Sequence, residues 1–421
     1  MEKIIIRGQR HLNGSIRIKG AKNSILPILA GAVLNSSRQK IVLKNAPDLL
    51  DVRVMLRILN SLGVTHRWED SSLELDTSNV LMHAVPDDLM REMRSSIFLI
   101  GPLLGRLGKV QVTYPGGCAI GPRPIDLHIK GLKALGATIW EDAGRISVKA
   151  DRLRGADIHL DFPSVGATEN LMMAGVLAKG TTTLYNAAKE PEIVDLQNFL
   201  NSMGAKINGA GTSIIRVHGV DALGGTVYRL IPDRIVAGTF MIAAAITGGQ
   251  IILKDVIPDH LDAVIAKLRE TGVEIVSSDA GLKVAATGKL QALDTVRTLP
   301  YPGFPTDLQA PMMSLLTIAE GTSLIIENVF EGRFKHVPEL RRMNANIFVE
   351  GRTAVIKGVP MLTGATVETP DLRAGAALIL AGLAAQGTTK VLGVHHIDRG
   401  YEKIEEQLKA VGADIKRIRE P

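Results

Sequence analysis

Apolar positions along this chain fall into two kinds of helix that alternate and repeat. One kind has almost no polar face: Ala237 to Thr247 and Ala374 to Ala385 are alanine, glycine and aliphatic residues nearly throughout. A helix apolar all round is buried, and small side chains let its neighbours approach closely. The other kind is amphipathic, as in Leu261-Asp-Ala-Val-Ile-Ala-Lys-Leu-Arg-Glu270 and Tyr401-Glu-Lys-Ile-Glu-Glu-Gln-Leu-Lys409, with one charged side for solvent. Short β-prone segments lie between them. An opening strand such as Leu12–Ile18, Leu153–His159 or Leu362–Glu368 precedes each buried helix, and a second short strand follows it. A hairpin with glycine or aspartate at its turn then closes the unit, as over 205–217 and 346–356.

The unit recurs six times. Ser61-Leu-Gly-Val64, Ala134-Leu-Gly-Ala137, Ser202-Met-Gly-Ala205, Glu270-Thr-Gly-Val273, Arg342-Met-Asn-Ala345 and Ala410-Val-Gly-Ala413 are spaced 68 to 73 residues apart. A period of this size calls for a repeat-built α/β fold. The sixth unit lacks its last hairpin strand after Asp414-Ile-Lys-Arg-Ile418, and Lys3-Ile-Ile-Ile-Arg7 is a strand without a partner. Pairing these two ends makes one discontinuous domain of residues 1–20 and 231–421, leaving 21–230 as the other, with crossings near Gly20 and Leu230. At 421 residues the chain exceeds what one core ordinarily serves.

Composition narrows the classes. One cysteine in the whole chain rules out a disulfide framework and a cysteine-built zinc site, and suits a reducing, cytoplasmic compartment. The start, Met1-Glu-Lys-Ile-Ile-Ile-Arg7, does not read as a signal peptide, and the longest apolar runs fall short of the roughly 20 residues that span a bilayer. The formal charge is +6, but 49 basic residues are interspersed with 43 acidic ones and only 15 aromatics are available for base stacking, so a nucleic-acid-binding scaffold is a weak alternative.

The candidate chemistry is concentrated at a few places. Cys118 sits in Tyr114-Pro-Gly-Gly-Cys-Ala-Ile-Gly-Pro-Arg-Pro124, where glycines and prolines exclude a helix interior or central strand and Arg123 favours a thiolate. A loop of this kind is expected to cover a bound substrate. Polar clusters stand where opening strands meet buried helices: Lys22-Asn23-Ser24, Ser164 to Thr168, Asp233-Arg234, Thr306-Asp307 and Asp371-Leu-Arg373. Such residues cap helices, and helix starts also attract anions. If the units share one orientation, several starts face a cleft between the domains, which suits a phosphate-bearing substrate. There is no HExxH, CxxC or P-loop.

The segments Gly20-Ala-Lys-Asn23, Gly116 to Pro124, Phe304-Pro-Thr-Asp307 and Asp398-Arg-Gly-Tyr401 resemble the UDP-N-acetylglucosamine enolpyruvyl transferase family, and the resemblance runs along essentially the whole chain. It implies six βαβαββ units in two inside-out α/β barrels, with no cofactor and no metal. It also implies transfer of the enolpyruvyl group of phosphoenolpyruvate to the 3-hydroxyl of UDP-N-acetylglucosamine, the first committed step of peptidoglycan synthesis. Cys118 is then the general acid and Asp307 the base, while Lys22, Arg94, Arg123 and Arg399 hold phosphoenolpyruvate with Arg373 as a further contributor. Asn23, Arg123, Pro124, Ile125, Asp126, Leu127, Ser164, Val165, Gly166, Asp307 and Val329 are placed around the nucleotide sugar. Asp51, Arg333 and Asp371 are further candidates for which structural ion pairing is an equal explanation. The family also implies alkylation of Cys118 by epoxides of the fosfomycin type. A 5-enolpyruvylshikimate-3-phosphate synthase is the neighbouring alternative, against which the Cys118 loop argues.

Overall fold

The computed structural model describes residues 2–114, 116, 125–286 and 288–419. The recurring tetrapeptide proves to be a helix stop. Helices Leu50–Ser61, Asp126–Ala134, Pro191–Ser202, Asp262–Glu270, Val337–Arg342 and Ile404–Ala410 each end on it. Its third residue is left-handed in every copy, with φ of +103° at Gly63, +91° at Gly136, +108° at Gly204, +93° at Gly272, +71° at Asn344 and +103° at Gly412. The next residue donates its N–H, at 3.0–3.2 Å, to the carbonyl of a leucine five positions back: Leu59, Leu132, Leu200, Leu268, Leu340 and Leu408. That bond satisfies a carbonyl the helix leaves open and brings an apolar residue back over the leucine. Asparagine serves at 344 because its short polar side chain tolerates the left-handed region.

Six small sheets follow from the six repeats, five of four strands and one of three. In the third repeat, Asp157–His159 lies parallel to Thr181–Tyr185, which is antiparallel to Ile214–His218, which pairs in turn with Lys206–Asn208. The second repeat departs from the expectation that every unit opens with a strand. Ala84 makes only one bridge, to Gln111, because the helix Asp87–Glu92 starts directly after Pro86 and turns the chain off the ladder. The first and fourth repeats exchange opening strands: Asn13–Arg17 pairs with Gln250–Lys254, and Thr226–Arg229 with Ile41–Lys44, both parallel. The chain ends pair antiparallel, with Lys3 opposite Ile418.

The chain divides into two units, each with its own core. The described residues of 1–19 and 232–421 make the terminal unit, and those of 20–118 and 123–231 the middle unit. In each, the apolar helices are buried on every side while strands alternate buried and exposed positions, so helices lie inside and sheets outside. The six sheets stay separate; among the described residues no strand pairing closes a barrel. Helix Leu372–Ala384 shows why its small residues matter, since a Cβ on Gly382 would sit 2.9 Å from the Ile6 side chain. Among the described residues no helix is long and apolar enough to cross a membrane.

Arg417 ties the chain ends to the terminal unit. It forms a two-pronged pair with Asp398 at 2.6 and 2.9 Å and reaches Glu405 at 2.8 Å and Glu2 at 3.0 Å.

The helix stop has a clean test at Gly136, where an added Cβ meets nothing within 4 Å, so only backbone conformation opposes a side chain. Gly136→Ala is expected to lower unfolding free energy by about 1–2 kcal/mol in urea titration, and Gly136→Asn by less.

Candidate active site

In the middle unit, Lys22 opens the helix Lys22–Ala32, whose start has no side-chain cap. Its ammonium is nearly buried and pairs with Asp51 at 2.8 Å, in the first turn of Leu50–Ser61. A buried ammonium needs such a partner, and the pair fixes where the charge sits. Ser24, next to Asn23 in this helix, donates to the Asp195 carboxylate, which also accepts from Tyr228 Oη at 2.6 Å. Burial raises the Asp195 pKa, and the Ser24 and Tyr228 hydrogen bonds oppose that rise.

A second group in this unit brings together segments distant in sequence. Arg94 begins the 3-10 turn Arg94–Leu99, half-buried, its pKa lowered by burial. His128 comes from the helix Asp126–Ala134, which also carries Asp126 and Leu127 and follows the buried Ile125. Ser164 caps the helix Val165–Val176 by accepting from Ala167 N at 3.3 Å. At Gly166 a Cβ would lie 3.3 Å from Phe98 and 3.5 Å from the His128 ring, so the helix start, the imidazole and the 3-10 turn touch. Asn170 completes the contact: its Oδ1 accepts from Gly101 N at 2.6 Å, which turns its amide nitrogen to donate to His128 Nδ1 at 3.0 Å. Nδ1 therefore carries no proton. Burial first, then the Arg94 charge, lower the His128 pKa to about 4, against a smaller pull from Asp126. Further along this helix, burial and then Glu192 and Glu190 push fully buried Glu169 well above the usual carboxyl range.

In the terminal unit, Asp307 lies in the 3-10 turn Thr306–Leu308. Arg333 donates to its Oδ1 at 2.5 Å and Arg373 to its Oδ2 at 3.0 Å. These are charge-assisted bonds from two fixed cations. Arg373 also donates to Tyr401 Oη at 3.3 Å, with its guanidinium 5.5 Å from that ring's centre, and Tyr401 Oη meets Thr239 Oγ1 at 2.9 Å. Burial disfavours the Arg373 charge, but Asp307 and then Tyr401 outweigh it and raise its pKa. Asp371 is accounted for as a helix cap, its Oδ1 accepting from the N–H groups of Arg373 and Ala374 at 2.9 and 3.1 Å. Val329 follows the buried Glu327, whose Oε1 takes its N–H at 2.8 Å. Arg399, half-buried, lies in the turn next to Asp398.

Thus Lys22 meets Asp51 and Asp307 meets Arg333 and Arg373, while Arg94 adjoins the Asp126 helix and the Ser164–Gly166 start. Cys118, Arg123 and Pro124 lie outside the described residues. Of the five polar clusters at helix starts, Ser164, Asp233 and Asp371 cap by side chain, whereas Lys22–Ser24 and Thr306–Asp307 do not. His128, Glu327 and Arg417 had no sequence signal of their own; each stands within three residues of a candidate or reaches one only through the fold.

A family model described as EPSP synthase (3-phosphoshikimate 1-carboxyvinyltransferase) matches residues 6–408. The chain belongs to this family. It is an enolpyruvyl (carboxyvinyl) transferase. Within the family it is 55% identical over 427 aligned positions to UDP-N-acetylglucosamine 1-carboxyvinyltransferase 1 of Symbiobacterium thermophilum, covering 99% of this chain and 95% of that one. It is 53% identical over 420 to UDP-N-acetylglucosamine 1-carboxyvinyltransferase 2 of Carboxydothermus hydrogenoformans, covering 99% and 100%. Among solved structures, the enolpyruvyl transferase NikO from Streptomyces tendae superposes with a TM-score of 0.88 at 26% identity, over 100% of this chain and 99% of that chain.

His128 gives a pH test. In the unfolded chain its imidazole gains a proton near the ordinary value of 6.5, whereas in the fold it stays neutral down to about 4. The unfolded state therefore binds more protons between these values, and stability falls as pH falls through that window. Between pH 7 and pH 5, urea unfolding of the wild type should lose about 2 kcal/mol more than that of His128→Gln.

Proposed function

We propose that this transferase moves the enolpyruvyl group of phosphoenolpyruvate onto the 3-hydroxyl of UDP-N-acetylglucosamine and releases phosphate, the first committed step of peptidoglycan synthesis, in the cytoplasm. The observation that carries this reading is identity above half, over nearly the full length, to relatives named for that acceptor.

The sugar hydroxyl loses its proton to Asp307 as its oxygen bonds to the substituted enol carbon, and the methylene carbon takes a proton from Cys118. In the second stage a proton leaves the resulting methyl group, the carbon–carbon double bond reforms and the carbon–oxygen bond to phosphate breaks. No oxidant or phosphoryl acceptor enters the balance. Lys22, Arg94, Arg123 and Arg399, with Arg373 contributing, hold the phosphate and carboxylate of phosphoenolpyruvate, for which guanidinium forks are suited. Asn23, Arg123 to Leu127, Ser164 to Gly166 and Val329 hold the nucleotide sugar. Support for the cationic role comes from the way Lys22 and Arg94 are held nearly or half out of water, where their charge is poorly screened.

The family model's description favours a second reading, with 3-phosphoshikimate as acceptor. Phosphate release separates the two. The purified protein with phosphoenolpyruvate should release phosphate with UDP-N-acetylglucosamine and not with shikimate 3-phosphate; the reverse result overturns the proposal. Cys118→Ala and Asp307→Asn should each lower the turnover by about 10²–10⁴-fold, and an epoxide of the fosfomycin type should alkylate Cys118, read by intact mass.

A further inference from the structure

Glu327 follows the strand Thr322–Ile326 and is about 1% exposed. A carboxylate removed from water needs hydrogen bonds on both oxygens, and this one has four donors. Oε1 accepts from Thr298 Oγ1 at 2.8 Å, Val329 N at 2.8 Å and Phe330 N at 3.0 Å. Oε2 accepts from Thr306 Oγ1 at 2.9 Å. Thr306 immediately precedes Asp307 and opens its 3-10 turn. Thr298 is itself locked, donating its N–H to Ile326 O at 3.0 Å and accepting from Asn328 N at 2.9 Å. The segment held through Oε1 leads on to Arg333, which grips Asp307 from the other side.

One side chain therefore joins the turn that carries Asp307 to the segment that carries Val329. We infer that Glu327 is a positioning residue that sets Asp307 in register with the Val329 segment, acting on turnover through Thr306. The inference rests on the reading of Asp307 as the group that takes the hydroxyl proton. It follows from geometry: the turn has its own backbone bonds, Leu308 N to Pro305 O at 3.0 Å and Gln309 N to Thr306 O, and the Thr306 hydroxyl adds the bond that ties its first residue to Glu327. Glutamine at 327 preserves the arrangement in part, because its oxygen accepts as Oε1 does and its amide donates to the Thr306 hydroxyl.

The test uses the full-length enzyme, with phosphate release from phosphoenolpyruvate and UDP-N-acetylglucosamine as the readout. Thr306→Val, near-isosteric, should lower kcat about 10–100-fold with KM for either substrate changed less than about threefold, the signature of an interaction that acts in the chemical step. Glu327→Ala should lower kcat at least as much and also raise KM for the sugar nucleotide, and Glu327→Gln should recover most of the lost kcat. In an Asp307→Asn background, Thr306→Val should cost less than about threefold more, since its effect passes through the missing carboxylate. A purely structural residue would lose kcat by the same factor in both backgrounds, and that result, or wild-type kcat in Thr306→Val, overturns the inference while leaving Asp307 in place. Wild-type kcat in Asp307→Asn would instead overturn the reading of Asp307 itself. If Thr306→Val does not fold, Thr306→Ala carries the same comparison.

Discussion

Two parallel strand pairs impose the constraint on which the repeats depend. Asn13–Arg17 completes the sheet of Gln250–Lys254, and Thr226–Arg229 completes the sheet of Ile41–Lys44. Parallel neighbours cannot be joined by a hairpin and need a crossover; here the crossover is a run of whole repeats. Neither the first nor the fourth repeat can complete its sheet with its own opening strand, so each unit forms through contacts of long sequence separation. The antiparallel pairing of Glu2–Arg7 with Asp414–Arg419 does the same for the sixth repeat, and Arg417 fastens it. A chain built from local repeats thus becomes cooperative, because its sheets are finished only when distant segments arrive.

Charge within the two units follows a second rule. Lys22 has Asp51, Asp307 has Arg333 and Arg373, and Arg417 has Asp398, Glu405 and Glu2. A charge taken from water without a partner is costly, so each such group is fixed by its neighbours before any substrate arrives. Groups already oriented lose little on reorganising around developing charge, which is the physical basis of electrostatic catalysis. Glu327 extends the rule through neutral donors, two hydroxyls and two backbone amides.

The fold is shared by carboxyvinyl transferases whose names carry different acceptors, so architecture alone does not choose the acceptor. The architecture is kept at 26% identity to NikO, whereas identity to the relatives named for UDP-N-acetylglucosamine is above half.

Much of this was legible in the residues themselves. The six-fold period, the two helix kinds, the hairpins and the pairing of the chain ends are local or periodic signals: left-handed glycine at a helix stop, apolar spacing, turn residues. The tetrapeptide showed where repeats recur, although its meaning as a helix stop needed the backbone angles. Three features were decided only by tertiary structure. The strand exchange between the first and fourth repeats was one, because strand propensity says nothing of which partner a strand finds. The loss of the second repeat's opening strand was another. The third was the set of long-range partners: Asp51 for Lys22, two arginines for Asp307, His128 against Gly166, and Thr306 for Glu327. A residue's type and spacing determine which bonds it is able to make, but its partners here lie 21 to 66 positions away, and only the packed fold brings them into contact.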